Sequence, residues 1–343
     1  MEVLPLLLTL SFSTMVVCSN TTLPVHFWLF TVNNLDKYED MVFDGSSVTL
    51  APDTLFDVMK PTKVVVHGWG GETHIDEIFA SAYAEAGLDY NIIGVDWRDM
   101  EGPAQEQVVE GGVYTAHFLQ ALIEDYSLLL EDVHPIGWSY GAHFVGGLLF
   151  ALMKFLQKIK FTFYFSANIG KEINMGDKGK LRRITVLDPG QYGFQGPWHT
   201  DLIISKDDAD YVDVIHTDAV AYGFLRPLGH ADFYPNGGSY QPCSCDHNCT
   251  DIDCLGWSDH GRAPAYFEES ILSPSKFPSW RCDMEWEDFL VQRNCPYDPA
   301  SNVLVSMGEY SDYDGFPEEG IYYLTTNKGS PYSCEEEDCF IPE

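Results

Sequence analysis

Short apolar runs that stop on turn residues recur along this chain, with helix-patterned stretches between them. "VVVHGWGG" (64–71) and "NIIGVDW" (91–97) are two such runs, patterned as buried parallel strands are. Between "GPAQEQ" and "LEDV" lies a long amphipathic stretch, with Val109, Val113, Ala116, Ile123 and Tyr126 roughly at helical spacing. In "VHPIGWSYGAHFVGG", Val133 to Gly137 reads as a strand and Gly141 onward as a helix. "RITVLDPG" (183–190) and "YVDVIHTD" (211–218) supply further strands. This alternation predicts an α/β chain with a largely parallel central sheet and helices on both faces.

Within that frame "GWSYGAH" (137–143) stands at a strand-to-helix junction. The pattern Gly-x-Ser-x-Gly alone arises by chance in roughly a tenth of chains this long. Its context gives it weight. A nucleophile elbow needs a strand, a turn too tight for side chains at two positions, then a helix. Gly137 and Gly141 supply the room, Ser139 is left at the tip, and the helix N-terminus points its N–H groups at any charge forming there.

A serine hydroxyl is a weak nucleophile that needs a base, and the base needs an orienting carboxylate. With a nucleophile elbow the chain order is Ser, acid, His. Asp188 follows the apolar run Ile184–Leu187 and precedes Pro189, either as that acid or as an ordinary turn aspartate. Five histidines follow it: His199, His216, His230, His247 and His260. His216 sits inside a strand pattern and His230 just before another, so both read as satisfied core histidines. His260, in a loop before the helix pattern "GRAPAYFEESI", is the candidate base. Tyr140, after the serine, and Trp69, in the glycine-rich "HGWGG", are the candidate backbone donors for an oxyanion.

The first 18 residues read as a secretory signal peptide, with an uncharged run from Val3 to Val17 ending beside Cys18 and Ser19. The remainder, 19–343, shows no internal repeat and no linker, so one domain is expected. Cleavage leaves eight of the nine cysteines, an even number that predicts four disulfides in a secreted chain. Asn20 and Asn248 head N-x-Thr sequons and are candidate glycosylation sites. With 52 acidic against 19 basic residues, the net charge of −33 excludes nucleic acid and disfavours anionic membranes.

These motifs, with "GHADFYPNGG", "DHGRAPAYFEESI" and a late "MGEY…GIYYLTTN", resemble the pancreatic (neutral) lipase family in its arthropod single-domain form. The resemblance spans nearly the whole mature length. It implies an α/β-hydrolase fold, Ser139 as nucleophile, Asp188 as acid, His260 as base, and Trp69 and Tyr140 as the oxyanion hole. The family usually has His and Leu flanking the serine, where this chain has Trp138 and Tyr140. Some members hold calcium near the segment that here reads "TDLIISKDDAD". Asp207 and Asp208 remain, but the expected arginine and glutamate do not, so neither metal nor cofactor is expected. The C-terminal β-sandwich that binds colipase in vertebrate relatives is not seen, since about 16 residues follow "YYLTTN", and no colipase partner is expected.

"CSCDHNCTDIDC" gathers Cys243, Cys245, Cys249 and Cys254 around His247. In a cytosolic chain this would read as a zinc site; in a secreted one it reads as two disulfides whose pairing stays open. Cys282 with Cys295 and Cys334 with Cys339 would complete the four bridges. The resemblance places the cluster at the lid, where only Ile252 is a sizeable apolar residue between Cys245 and Cys254. That short lid and the short loop "AVAYGFLRPL" are similar to phospholipase A1 members. The expected function is a secreted serine esterase acting on phospholipid or triacylglycerol. The alternative is an inactive homologue that binds lipid or serves as a yolk-type protein. Finally, 148–167 lengthens the path from Ser139 to Asp188 by about twenty residues relative to the family. We read it as a retained intron, because "FTFYFSA" is what a pyrimidine-rich tract before a splice acceptor encodes. A lipid-contact insertion and extra core are the competing readings.

Overall fold

The computed structural model describes residues 22–71, 74–146, 181–194, 203–242, 259–273, 277–300, 302–311, 315 and 317–334. Several sequence expectations lie outside these residues. They are the signal peptide, Asn20, Asn248, His199, His247, the segment 148–167, and Cys243, Cys245, Cys249, Cys254 and Cys339.

Each apolar run becomes a strand whose side chains alternate between two cores. In chain order the strands are β1 His26–Phe30, β2 Glu39–Asp40, β3 Val42–Phe43, β4 Val48–Thr49, β5 Thr62–Val66, β6 Asn91–Asp96 and β7 Val133–Trp138. They continue with β8 Arg183–Leu187, β9 Tyr211–Ile215, β10 Ala231–Pro235, β11 Pro278–Arg281, β12 Leu304–Ser306 and β13 Gly320–Leu324. Eleven of them form one sheet in the order β12-β11-β13-β10-β9-β8-β7-β5-β6-β1-β2, and β3 pairs with β4. From β6 through β13 every neighbouring pair is parallel. Antiparallel strands cap both flanks.

On one face Val64, Val66, Ile93, Val95, Ile184, Val186, Val212 and Val214 pack with α2 (Ala104–Tyr126). Phe144 and Val145, which lie in a helix that starts at Tyr140, join them. On the other face the intervening residues Val65, Ile92, Ile136, Leu187 and Ile215 meet α1 (Ile75–Glu85) and α3 (Arg262–Leu272) through Phe79, Tyr83, Tyr266 and Phe267. A short α4 (Trp286–Gln292) lies between Cys282 and Cys295, which are disulfide-bonded. Cys334 is disulfide-bonded as well. This is the α/β-hydrolase fold the resemblance implied. The buried stripe of α2 includes Val108, Thr115, Ala116, Phe118, Leu119 and Leu122, so Ala116 of the predicted pattern lies in the core. Val109, Val113, Ile123 and Tyr126, which the spacing had singled out, sit at its half-buried margin. The stripe is shifted because long aromatic side chains, Tyr114 and Phe118, stack toward Phe27 and Phe43.

The sheet carries charge as well as apolar surface. Near the strand starts, on the α1/α3 face, Arg183 makes a bidentate pair with Asp213 (2.8 and 2.9 Å) and donates to the carbonyls of Gly308 and Glu309. Glu309 in turn accepts from Lys63 Nζ (2.8 Å) and the Tyr83 hydroxyl (2.7 Å). Burial, with Lys63 and Arg183 nearby, pushes the His134 imidazole far down, so it is neutral. It accepts from Lys63 at Nδ1 and donates through Nε2 to Thr185, which donates to Asp213. The "MGEY" motif thus fastens a late segment under the central strands.

Candidate active site

Parallel strands present their carboxyl ends along one edge, where open α/β sheets gather their reactive groups. Ser139 follows β7 with φ at +58°. Strain of that kind persists only where the surroundings dictate it. Here they do. A Cβ on Gly137 would stand 2.3 Å from the Gly141 carbonyl oxygen, and one on Gly141 would stand 2.3 Å from that of Val66. The Ser139 amide donates to Leu187 O (3.0 Å), and its carbonyl accepts from the amides of Gly190 and Ala142.

Asp188 directly follows β8 and is fully buried. Its Oδ1 accepts the amides of Thr217 (2.8 Å) and Asp218 (3.0 Å), and its Oδ2 accepts Nδ1–H of His260 at 2.6 Å. That bond leaves His260 Nε2 free as an acceptor, 2.9 Å from Ser139 Oγ. Ser139, His260 and Asp188 are therefore joined by one hydrogen-bonded line. The other described histidines after Asp188 are elsewhere. His216 is buried between Phe224 O and Asp232 Oδ1, and His230 accepts the Val212 amide.

Trp69 and Tyr140 lie at the ends of β5 and β7, which are neighbours. Neither backbone amide has an acceptor among the described residues, which leaves both available to a ligand. His67 steers the Trp69 loop, bonding Gly68 O at 2.6 Å and Asp96 at 3.1 Å. Burial opposes ionisation of Asp96, but hydrogen bonds from His67 and Arg98 outweigh it and hold its carboxyl at about 2. Among the described residues only Asp188, Asp218 and His260 bring three potential metal ligands close together. Asp188 and His260 Nδ1 already satisfy one another, so the cluster is arranged to hold a proton. Burial and the neighbouring Asp188 charge push Asp218 up to about 6. Asp208, one of the two aspartates of the calcium-type segment, closes a capping box on its own turn by accepting from Ser205 N (2.7 Å).

Three contributors to this site went unassigned in the sequence. Trp138 donates through Nε1 to His260 O (3.3 Å), and its ring packs on the imidazole with centroids 5.3 Å apart. Tyr222 lies 5.5 Å from the same imidazole. His143 donates through Nε2 to Gly190 O (2.7 Å), bracing the turn after Asp188. Trp138 and His143 stood in the elbow motif itself, so position was their only signal; Tyr222 had none.

Burial pushes the His143 imidazole down to about 4, against the pull of the Gly190 carbonyl. Unfolded, it titrates near the ordinary histidine value of about 6.5. Below that pH the unfolded chain binds a proton that the folded chain refuses. Its stability contribution is therefore full above about 6.5 and is lost as pH falls toward about 4. Asp208, pushed up by burial to about 7, acts in the opposite sense but is common to parent and variant. His143→Gln, which keeps an N–H for Gly190, is expected to flatten the fall in Tm between pH 6.5 and 4.5 in calorimetry. An unchanged pH slope would show that His143 is not the group responsible.

The family described as Lipase matches residues 10–159 and 164–332. The chain belongs to the lipase family. The interruption at 160–163 falls inside the long segment 148–167. Among relatives, this lipase-family chain is 28% identical over 336 residues to pancreatic triacylglycerol lipase of Sus scrofa, covering 90% of this chain and 66% of that protein. It is 29% identical over 343 residues to the Myocastor coypus protein of the same name, covering 92% and 67%. It is 28% identical over 311 residues to inactive pancreatic lipase-related protein 1 of Mus musculus, covering 83% and 58%. The chain thus spans about two thirds or less of the length of these relatives. Among the described residues no helix is long and apolar enough to cross a membrane.

Proposed function

We propose that the chain is a secreted carboxylic ester hydrolase that works through an acyl-enzyme. His260 Nε2 removes the Ser139 proton as Oγ attacks the ester carbonyl carbon. The carbonyl oxygen becomes an oxyanion received by the Trp69 and Tyr140 amides. Asp188 holds the imidazole in the tautomer this requires and stabilises the imidazolium. His260 then returns the proton to the departing alcohol, and water repeats the sequence to release the acid. The observation that carries this reading is the unbroken line from Ser139 Oγ through His260 to Asp188. It also weighs against the inactive-homologue reading, which the named inactivity of one relative keeps in view.

For the substrate we favour the sn-1 ester of phospholipid over long-chain triacylglycerol. The support is in the sequence: a lid segment with Ile252 as its lone sizeable apolar residue between Cys245 and Cys254, and a short loop from 219 to 228. A lid without an apolar face gives little shelter to an oil interface. A panel on the recombinant full chain is expected to give phosphatidylcholine hydrolysis equal to or above that of emulsified triolein. Little rate jump should appear at the substrate's solubility limit. A strong preference for triolein would overturn the phospholipid assignment, and no hydrolysis of any ester would overturn the enzyme assignment.

A further inference from the structure

The turn from 218 to 224 is built against the Ser139 site more tightly than an exposed loop requires. Gly190 and Gly223 form an antiparallel bridge. The Gln191 amide donates to Tyr222 O (2.8 Å), and the Phe224 amide donates to Pro189 O (2.8 Å). The Gly223 amide donates to Asp218 O (2.9 Å), while the Asp218 carboxylate accepts from Ala221 N and Tyr222 N. Gly223 is pressed on the acid itself, since a Cβ there would stand 2.4 Å from Asp188 Oδ1. Besides closing over Asp188, these bonds fix the backbone of Tyr222, whose side chain is not buried; the residue is 57% exposed. Its ring faces His260 at 5.5 Å and the Tyr192 ring at 6.1 Å.

We propose that Tyr222 is a positioning residue for His260, one of two aromatic rings that fix the plane of the imidazole and favour its charged form. The hydrogen bonds to Asp188 and Ser139 anchor the two ring nitrogens but leave the imidazole plane free to turn about the line between them. Trp138 and Tyr222 restrict that turn. When His260 takes the Ser139 proton, the new imidazolium lies beside two π faces, which attract a cation. The inference rests on the triad reading above.

Its test compares the full-length chain with Tyr222→Ala and Tyr222→Phe on soluble p-nitrophenyl butyrate, with Ser139→Ala as the blank. Tyr222→Ala is expected to lower kcat ~3- to 10-fold with KM within about twofold. Tyr222→Phe, which keeps the ring, is expected to restore most of that loss. An increase in KM at unchanged kcat would make Tyr222 a substrate wall and overturn the proposal. So would a Phe variant as slow as the Ala variant. A second readout does not depend on turnover. In NMR spectra the His260 ring protons, assigned through His260→Gln, should carry a ring-current shift that Tyr222→Ala removes and Tyr222→Phe keeps. If the parent chain hydrolyses no more ester than Ser139→Ala, the catalytic reading falls. The ring-current comparison still decides whether Tyr222 holds the imidazole, and an unchanged shift in Tyr222→Ala refutes it.

Discussion

Ser139→Ala is expected to lower kcat/KM on a soluble short-chain ester by ~10³-fold or more, with yield, Tm and far-UV circular dichroism unchanged. The two halves of that result have separate causes. The turn is held by backbone: Ser139 N to Leu187 O, and Gly190 N and Ala142 N to Ser139 O. The glycines on either side make room whether or not Oγ is present. Alanine therefore inherits the positive φ and the same hydrogen bonds. What it lacks is the oxygen 2.9 Å from His260 Nε2, and with it the bond that would form to the acyl group. Residual turnover would come from the Trp69 and Tyr140 amides and from substrate binding. A variant that kept most of its activity would place the nucleophile elsewhere.

Asp213→Ala should be among the most destabilising single changes outside the site, costing ~3–5 kcal/mol in urea unfolding. Asp213 is fully buried and accepts two hydrogen bonds from Arg183 and one from Thr185. Without it the guanidinium, itself buried, loses a fully buried counter-charge, while the carbonyls of Gly308 and Glu309 still accept from it. The His134–Thr185 link loses its end acceptor as well. The paired change Arg183→Met with Asp213→Leu removes both charges and is expected to cost clearly less than Asp213→Ala alone. A loss below about 1 kcal/mol for Asp213→Ala would mean that the pair is not sealed from solvent.

The parallel core and the strand-turn-helix setting of Ser139 were legible because they depend on local pattern. Val64–Val66, Ile184–Leu187 and Val212–Ile215 each carry enough apolar side chains to cover both faces of a strand, and the elbow glycines lie within five residues of each other. The buried network of Lys63, His134, Arg183, Asp213 and Glu309 was not legible. Its members are up to 246 residues apart, and each alone looks like an ordinary polar residue at a strand end. "MGEY" stood out as a motif without a reason until Glu309 was seen to receive Lys63 and Tyr83. Tyr222 and Trp138 were missed on similar grounds, since a ring's value to an imidazole depends on a meeting that neither neighbourhood encodes. The shifted stripe of α2 shows the limit of spacing itself. Of the five apolar residues that fitted a helical period Ala116 is fully buried and the other four lie at the margin, because Phe118 and Leu119, with more surface to hide, decided which side faces the sheet.

The clamp on Asp188 has a consequence for anyone who would redesign this chain's selectivity. Asp188 follows β8, but its Oδ1 is held by Thr217 and Asp218 from the segment after β9, and Gly223 closes over it. The loop that an engineer would lengthen to build a different canopy beside Ser139 is thus part of the mounting of Asp188. Transplants that begin at 219 would loosen the carboxylate while seeming to touch only the rim. The seam belongs between Leu225 and Gly229, beyond the Phe224-to-Pro189 bond, where new sequence can be spliced in and the mounting stays whole.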